Sequence, residues 1–80
     1  MTISEKEALI SKLKVMKIAM NGDAELVNGT CNSILEISKE CKEEKIDETL
    51  CDIYADLIDA VAGIQNALAR LESLLGNLEG

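Results

Sequence analysis

Nine residues in the C-terminal half recur at alternating steps of four and three. They are Leu50, Tyr54, Leu57, Val61, Ile64, Leu68, Leu71, Leu75 and Leu78. A helix keeps such positions on one edge over many turns, so the pattern predicts a long helix packed along that edge on another helix. We call these nine residues the C-terminal seam. No segment alternates with period two, so the sequence predicts an all-α fold without a sheet.

Two shorter helices are predicted before the C-terminal one. Helix 1, residues 4–20, is expected to begin at a capping box of Ser4 and Glu7. Asn21-Gly22 is expected to end it, because both residue types tolerate the left-handed conformation that terminates helices. Asp23 then caps helix 2, residues 23–44.

Helix 3 is predicted over residues 47–75, with Asp47 as its cap and Gly76 as the start of its frayed end. Its apolar arc is wide, since Ile53 and Leu74 lie beside the seam on one flank and Ile58 begins the other. Such an arc is typical of a helix that touches at least two neighbours. The three helices, in up-down-up order, form a single domain of 80 residues: a short helical hairpin plus a long C-terminal helix.

The length of helix 3 predicts self-association. About 29 helical residues extend roughly 43 Å, whereas a compact chain of this size has a radius of gyration near 12 Å, hence a diameter of about 30 Å. The end of helix 3 would therefore project, and a second copy is expected to cover it in an oligomeric helical bundle, a homodimer or larger. The predicted interface comprises Leu57, Val61, Ile64, Leu68, Leu71, Leu75 and Leu78.

The net charge of −7 argues against nucleic acid or an anionic membrane as a partner. No apolar run is long enough to span a bilayer, and the first residues do not resemble a signal peptide, so a cytoplasmic protein is expected. Cys31, Cys41 and Cys51 are odd in number and ten residues apart. They are expected to be reduced, mostly buried thiols with a structural role, and a redox or metal role is the alternative.

Four lysines carry half of the chain's positive charge, while the region from Glu36 to Asp59 is strongly acidic. This polarity predicts that helix 1 aligns against the acidic region, within one chain or between two. The lysines are Lys6, Lys12, Lys14 and Lys17.

An acidic stripe is the first candidate for a binding site. Its members, at steps of four, four and three, share the outer face of helix 3, opposite the seam. The stripe consists of Glu48, Asp52, Asp56 and Asp59. Three interpretations remain open: docking of a basic partner, binding of Mg²⁺ or Ca²⁺ through oxygen ligands, or a solvated face that keeps an oligomer in solution.

A second acidic pattern concerns catalysis. Glu40-Cys41-Lys42-Glu43 is followed, after twelve intervening residues, by Asp56-Leu57-Ile58-Asp59. The pattern resembles the MazG-like all-α nucleotide pyrophosphohydrolases, which bind Mg²⁺ through Glu-x-x-Glu on one helix and Glu-x-x-Asp on the next. The resemblance implies Glu40, Glu43, Asp56 and Asp59 as metal ligands, although an aspartate stands at position 56 where the family has a glutamate.

No other catalytic arrangement is evident, because the chain has no histidine and no nucleophile elbow. The sequence therefore predicts a small protein without catalytic residues or cofactor. It is expected to bind itself and another protein, as a regulator or inhibitor. The alternatives are the divergent Mg²⁺-dependent hydrolase and a purely structural subunit.

Overall fold

The computed structural model describes all 80 residues, Met1–Gly80, and contains two helices. Helix α1 spans Ile3–Glu40 and helix α2 spans Glu44–Glu79. They pack against each other along their lengths, joined by residues 41–43. The result is an antiparallel helical hairpin of 61 × 14 × 14 Å. Its radius of gyration is 18.2 Å, well above the value of about 12 Å for a compact chain of this size.

The prediction of an all-helical chain is confirmed, but the division into three helices is wrong. Helix α1 continues through Asn21, Gly22 and Asp23, and no glycine adopts a positive φ. The predicted helices 1 and 2 are therefore one helix, and there is a single hairpin rather than a hairpin followed by a further helix.

The inner face of α1 explains why the helix does not break. Ten residues there follow one another at steps of three and four, and each is buried or half-buried. We call them the N-terminal seam: Ile10, Leu13, Lys17, Met20, Ala24, Val27, Cys31, Ile34, Ser38 and Cys41. The spacing keeps its phase across residues 21–23. A glycine inside a helix costs only about 1 kcal/mol, whereas ending the helix there would turn half of this face away from α2.

The helix ends also differ from the sequence prediction. The capping box joins Thr2 and Glu5, with the Glu5 amide 3.1 Å from the Thr2 hydroxyl oxygen, and not Ser4 and Glu7. Helix α2 begins at Glu44, so Asp47 lies inside its first turn rather than at its cap. Helix α2 also continues through Gly76 to Glu79.

The C-terminal seam is the packing face of α2, since all nine residues are buried or half-buried. Near the open end of the hairpin, Leu71 and Leu75 form a cluster with Leu13 of α1. The overhang inferred from helix length does not exist, because α1, at 38 residues, is as long as its partner. The seam residues assigned to an oligomer interface face α1 of the same chain.

The core is thin. Only six of 80 residues are buried, and none is completely shielded from solvent. Neither helix carries an apolar stretch long enough and poor enough in charge to cross a membrane.

The continuity of α1 can be tested with Gly22→Ala. A Cβ added at Gly22 meets nothing within 4 Å, and alanine has the higher helix propensity. We expect the free energy of unfolding to rise by up to about 1 kcal/mol, measured by urea denaturation. Gly63→Ala, at an equally open site in α2, is the matched control and should stabilise by a similar amount. If Gly22→Ala destabilised the protein while Gly63→Ala did not, the chain would turn at residue 22.

Candidate interaction surfaces

The hairpin has two long flanks, one on each side of the contact between its helices. The first flank is distinguished by two ion pairs between the helices. Lys14 and Glu79, each directly following a seam residue, approach to 2.9 Å, and Lys17 lies 3.5 Å from Glu72. We call this side the polar flank; it comprises Lys14, Asn21, Asn28, Leu35, Cys51, Ile58, Gln65, Glu72 and Glu79. Its apolar members lie toward the connecting turn.

The opposite side is formed by residues that directly precede a seam residue, together with Ile46, which precedes the half-buried Asp47. Because the helices are antiparallel, those of α1 lie beside those of α2. This apolar flank comprises Leu9, Met16, Asp23, Thr30 and Ile37 of α1, and Ile46, Ile53, Ala60, Ala67 and Leu74 of α2. Asp23 is its only charged residue. Five of its large apolar residues are exposed, namely Met16, Ile37, Ile46, Ile53 and Leu74.

Polar contacts at both ends of the hairpin fix how the helices align. At the turn, the Ser38 hydroxyl donates a hydrogen bond to Asp47. At the open end, Lys14 and Lys17 pair with glutamates from the last turns of α2. Within one chain, the prediction that helix 1 aligns against the acidic region Glu36–Asp59 is therefore wrong for these two lysines; alignment between two chains stays a prediction. Exposed pairs of this kind contribute about 0–1 kcal/mol, so they set register more than stability.

The acidic stripe lies on the outer face of α2, as its spacing indicated. Glu48, Asp52, Asp56 and Asp59 are all exposed, and neither ion pair includes any of them. Three successive like-charge pairs at helical spacing repel one another by a few tenths of a kcal/mol each. The stripe is thus a concentrated negative surface without a partner inside the chain.

The second acidic pattern is not assembled into a metal centre. Glu40 is the last residue of α1 and Glu43 precedes α2, so the pair does not share a helix as the resemblance implied. Asp56 lies twelve residues into α2, roughly 18 Å along the axis from its start. No group of three or more carboxylates, thiols or imidazoles is positioned to hold a metal ion.

The outer face of α1 carries a further apolar surface. Val15, Ile18 and Leu26 are more exposed than any other large apolar residue between Leu9 and Gly80. Between Leu26 and the backbone at Gly22 and Gly29 lies a shallow, open depression. All three lie outside the N-terminal seam, so helical spacing alone places them on the outer face.

The three thiols differ in environment. Cys31 is buried between the helices, Cys41 is half-buried at the turn and Cys51 is exposed on the polar flank. All three are unpaired. The prediction of mostly buried thiols therefore fails for Cys51, while Cys41 donates a weak hydrogen bond to the Glu43 carbonyl at 3.5 Å.

The acidic stripe can be tested by replacing Asp52, Asp56 and Asp59 together with asparagine. We expect the helix content to stay the same and the free energy of unfolding to rise by about 0.5–1 kcal/mol as repulsion falls. The measurement is far-UV circular dichroism during thermal unfolding. At about 1 M salt the gain should vanish, because the screening length falls to roughly 3 Å.

Mg²⁺ provides the control for a metal site in this experiment. A metal bound to the folded state would raise the melting temperature of the native chain and not that of the variant. Loss of helix content in the variant would contradict the placement of the stripe on an outer face.

Comparison with protein-family models found no match. The curated proteins and the solved structures likewise gave no significant match.

Proposed function

We propose that this protein has no catalytic activity, associates with itself and acts by binding another protein, as a regulator or inhibitor. One observation carries the proposal. The hairpin exposes 6041 Å², whereas a compact monomer of 8.7 kDa is expected to expose about 4,700 Å². The excess of about 1,300 Å² is surface that a second molecule can cover.

The energetics of a thin core support the same proposal. A chain of this length gains little stability from burial unless disulfides, a metal or self-association add to it. Its cysteines are unpaired. Each partner in a typical stable interface buries about 800 Å², so the excess surface is large enough for one such contact. We infer that the two seams wind as a coiled coil within an oligomeric bundle.

Binding of a second protein is supported by the surfaces on the outer faces. The acidic stripe of α2 suits a basic partner. The exposed Ile18 and Leu26 of α1 suit an apolar contact, since the fully buried centre of a protein interface is more apolar than the rest of the surface. Both faces are directed away from the contact between the helices. The unpaired thiols are consistent with a role in the cytoplasm.

Self-association can be measured by sedimentation equilibrium. At micromolar concentration we expect a mass of at least twice 8.7 kDa, and a melting temperature that rises with protein concentration because association stabilises the folded state by mass action. A monomer throughout the micromolar range would contradict the proposal. Open-ended polymers would instead favour a structural subunit.

Leu71→Asp distinguishes the seam from an oligomer interface. Leu71 is buried against Leu13 in the same chain, so a carboxylate there would be left unpaired inside the hairpin, at a cost of several kcal/mol. We expect loss of helix content, seen by circular dichroism at every protein concentration. A variant that stayed helical but became monomeric would instead indicate that the C-terminal seam is an oligomer interface.

A further inference from the structure

We propose that the apolar flank is the surface on which a second copy of this chain docks, face to face, to form a four-helix bundle. The proposal deepens the proposed function and rests on it, since it names the surface and the partner of the self-association. Three features of the flank point to a second copy.

The first feature is the distribution of charge. The chain carries a net charge of −7, so two copies repel each other wherever their charged faces meet. Asp23 is the one charged residue among the ten positions of the apolar flank. The acidic stripe lies on the outer face of α2, and the ion pairs occupy the polar flank. Contact through the apolar flank therefore joins two acidic chains while keeping most of their charges in water.

The second feature is the shape of the flank. Large residues occupy both ends, with Met16 and Leu74 toward the open end and Ile37 and Ile53 toward the turn. Ala60 and Ala67 lie between them. A two-fold contact brings the same surface from each copy together, so large residues meet large ones and alanines meet in the middle. Small residues at the centre allow helices to approach to about 8 Å.

The third feature is area. The half-exposed side of the C-terminal seam, at residues such as Leu57 and Ile64, borders the apolar flank. Covering the flank therefore also completes the burial of the seam. The chain as a whole exposes about 1,300 Å² more than a compact monomer of its mass, so it has surface to give the roughly 800 Å² that each partner contributes to a typical interface.

Two isoleucines of α2 provide a matched test. Ile53 lies on the apolar flank and is 44% exposed, while Ile58 lies on the polar flank and is 40% exposed. Both face solvent within one chain, so glutamate at either position should leave the hairpin folded, which circular dichroism verifies. We expect Ile53→Glu to raise the dimer dissociation constant by roughly a hundredfold, because the interface would hold two unpaired carboxylates. Ile58→Glu should leave the constant unchanged.

Two further variants test the same surface. Leu74→Glu places the charge at the other end of the flank and should also dissociate the dimer, even if Ile53→Glu were to disturb the fold. Asp23→Ala removes the one charge from the flank and should tighten the dimer about tenfold. Asp59→Ala, on the outer face, is its control and should have no such effect.

Sedimentation equilibrium of the full chain and these variants separates the two proposals. A native chain that is monomeric overturns both. A native dimer that persists in Ile53→Glu and Leu74→Glu, or that dissociates in Ile58→Glu, overturns the docking surface and leaves self-association standing. Selective dissociation by the flank variants, with tightening in Asp23→Ala, supports the proposal.

Discussion

The hairpin depends on two apolar seams that keep the same spacing along their entire lengths. The N-terminal seam runs from Ile10 in α1 to Cys41 just after its end, and the C-terminal seam runs from Leu50 to Leu78 in α2. Each advances by three and four residues without a change of phase. Each turn along the seam of one helix therefore packs against a turn of the other. Interior glycines, a weak cap at Glu43 and a turn without proline are tolerated because packing along the seams outweighs these local preferences.

Packing between two helices alone leaves each helix with an unshielded side. One flank carries ion-paired lysine and glutamates near the open end, with Leu35, Cys51 and Ile58 exposed toward the turn. Methionine, leucine and isoleucine occupy the other, where the hairpin offers no neighbour. The asymmetry explains why an 80-residue chain has only six buried residues despite a high apolar content.

The helical class and the packing face of α2 could be predicted from the sequence because a long run of evenly spaced leucines has few alternatives. The sequence could not show whether the N-terminal half forms one helix or two. Asn21-Gly22 is typical of a helix terminator, but it also fits within a longer helix. The informative signal was the seven-residue interval from Leu13 through Met20, Val27 and Ile34. The interval is the same before and after Gly22, as expected for one continuous helix.

The predicted break at Gly22 also produces the predicted overhang. A short α1 leaves the end of α2 uncovered, whereas the continuous α1 covers the C-terminal seam along its whole length. The flank at Ile53 and Leu74 was visible in the sequence, but its counterpart at Met16 and Ile37 becomes apparent only when α1 is continuous. The acidic stripe was predictable as a face because its position depends on helical spacing alone.

The two ends of the hairpin have unequal roles in folding. Ser38 and Asp47, which meet at the turn, are nine residues apart in sequence, while Lys14 and Glu79 at the open end are 65 apart. Closing the longer loop first would cost about 1.7 kcal/mol more in chain entropy, so we expect contacts to form first at the turn. Half of the buried residues, Leu13, Leu71 and Leu75, lie toward the open end, while Cys31, Ile34 and Val61 lie nearer the turn. The core is therefore divided between the two ends, and we expect full stability only when the hairpin has closed along its whole length.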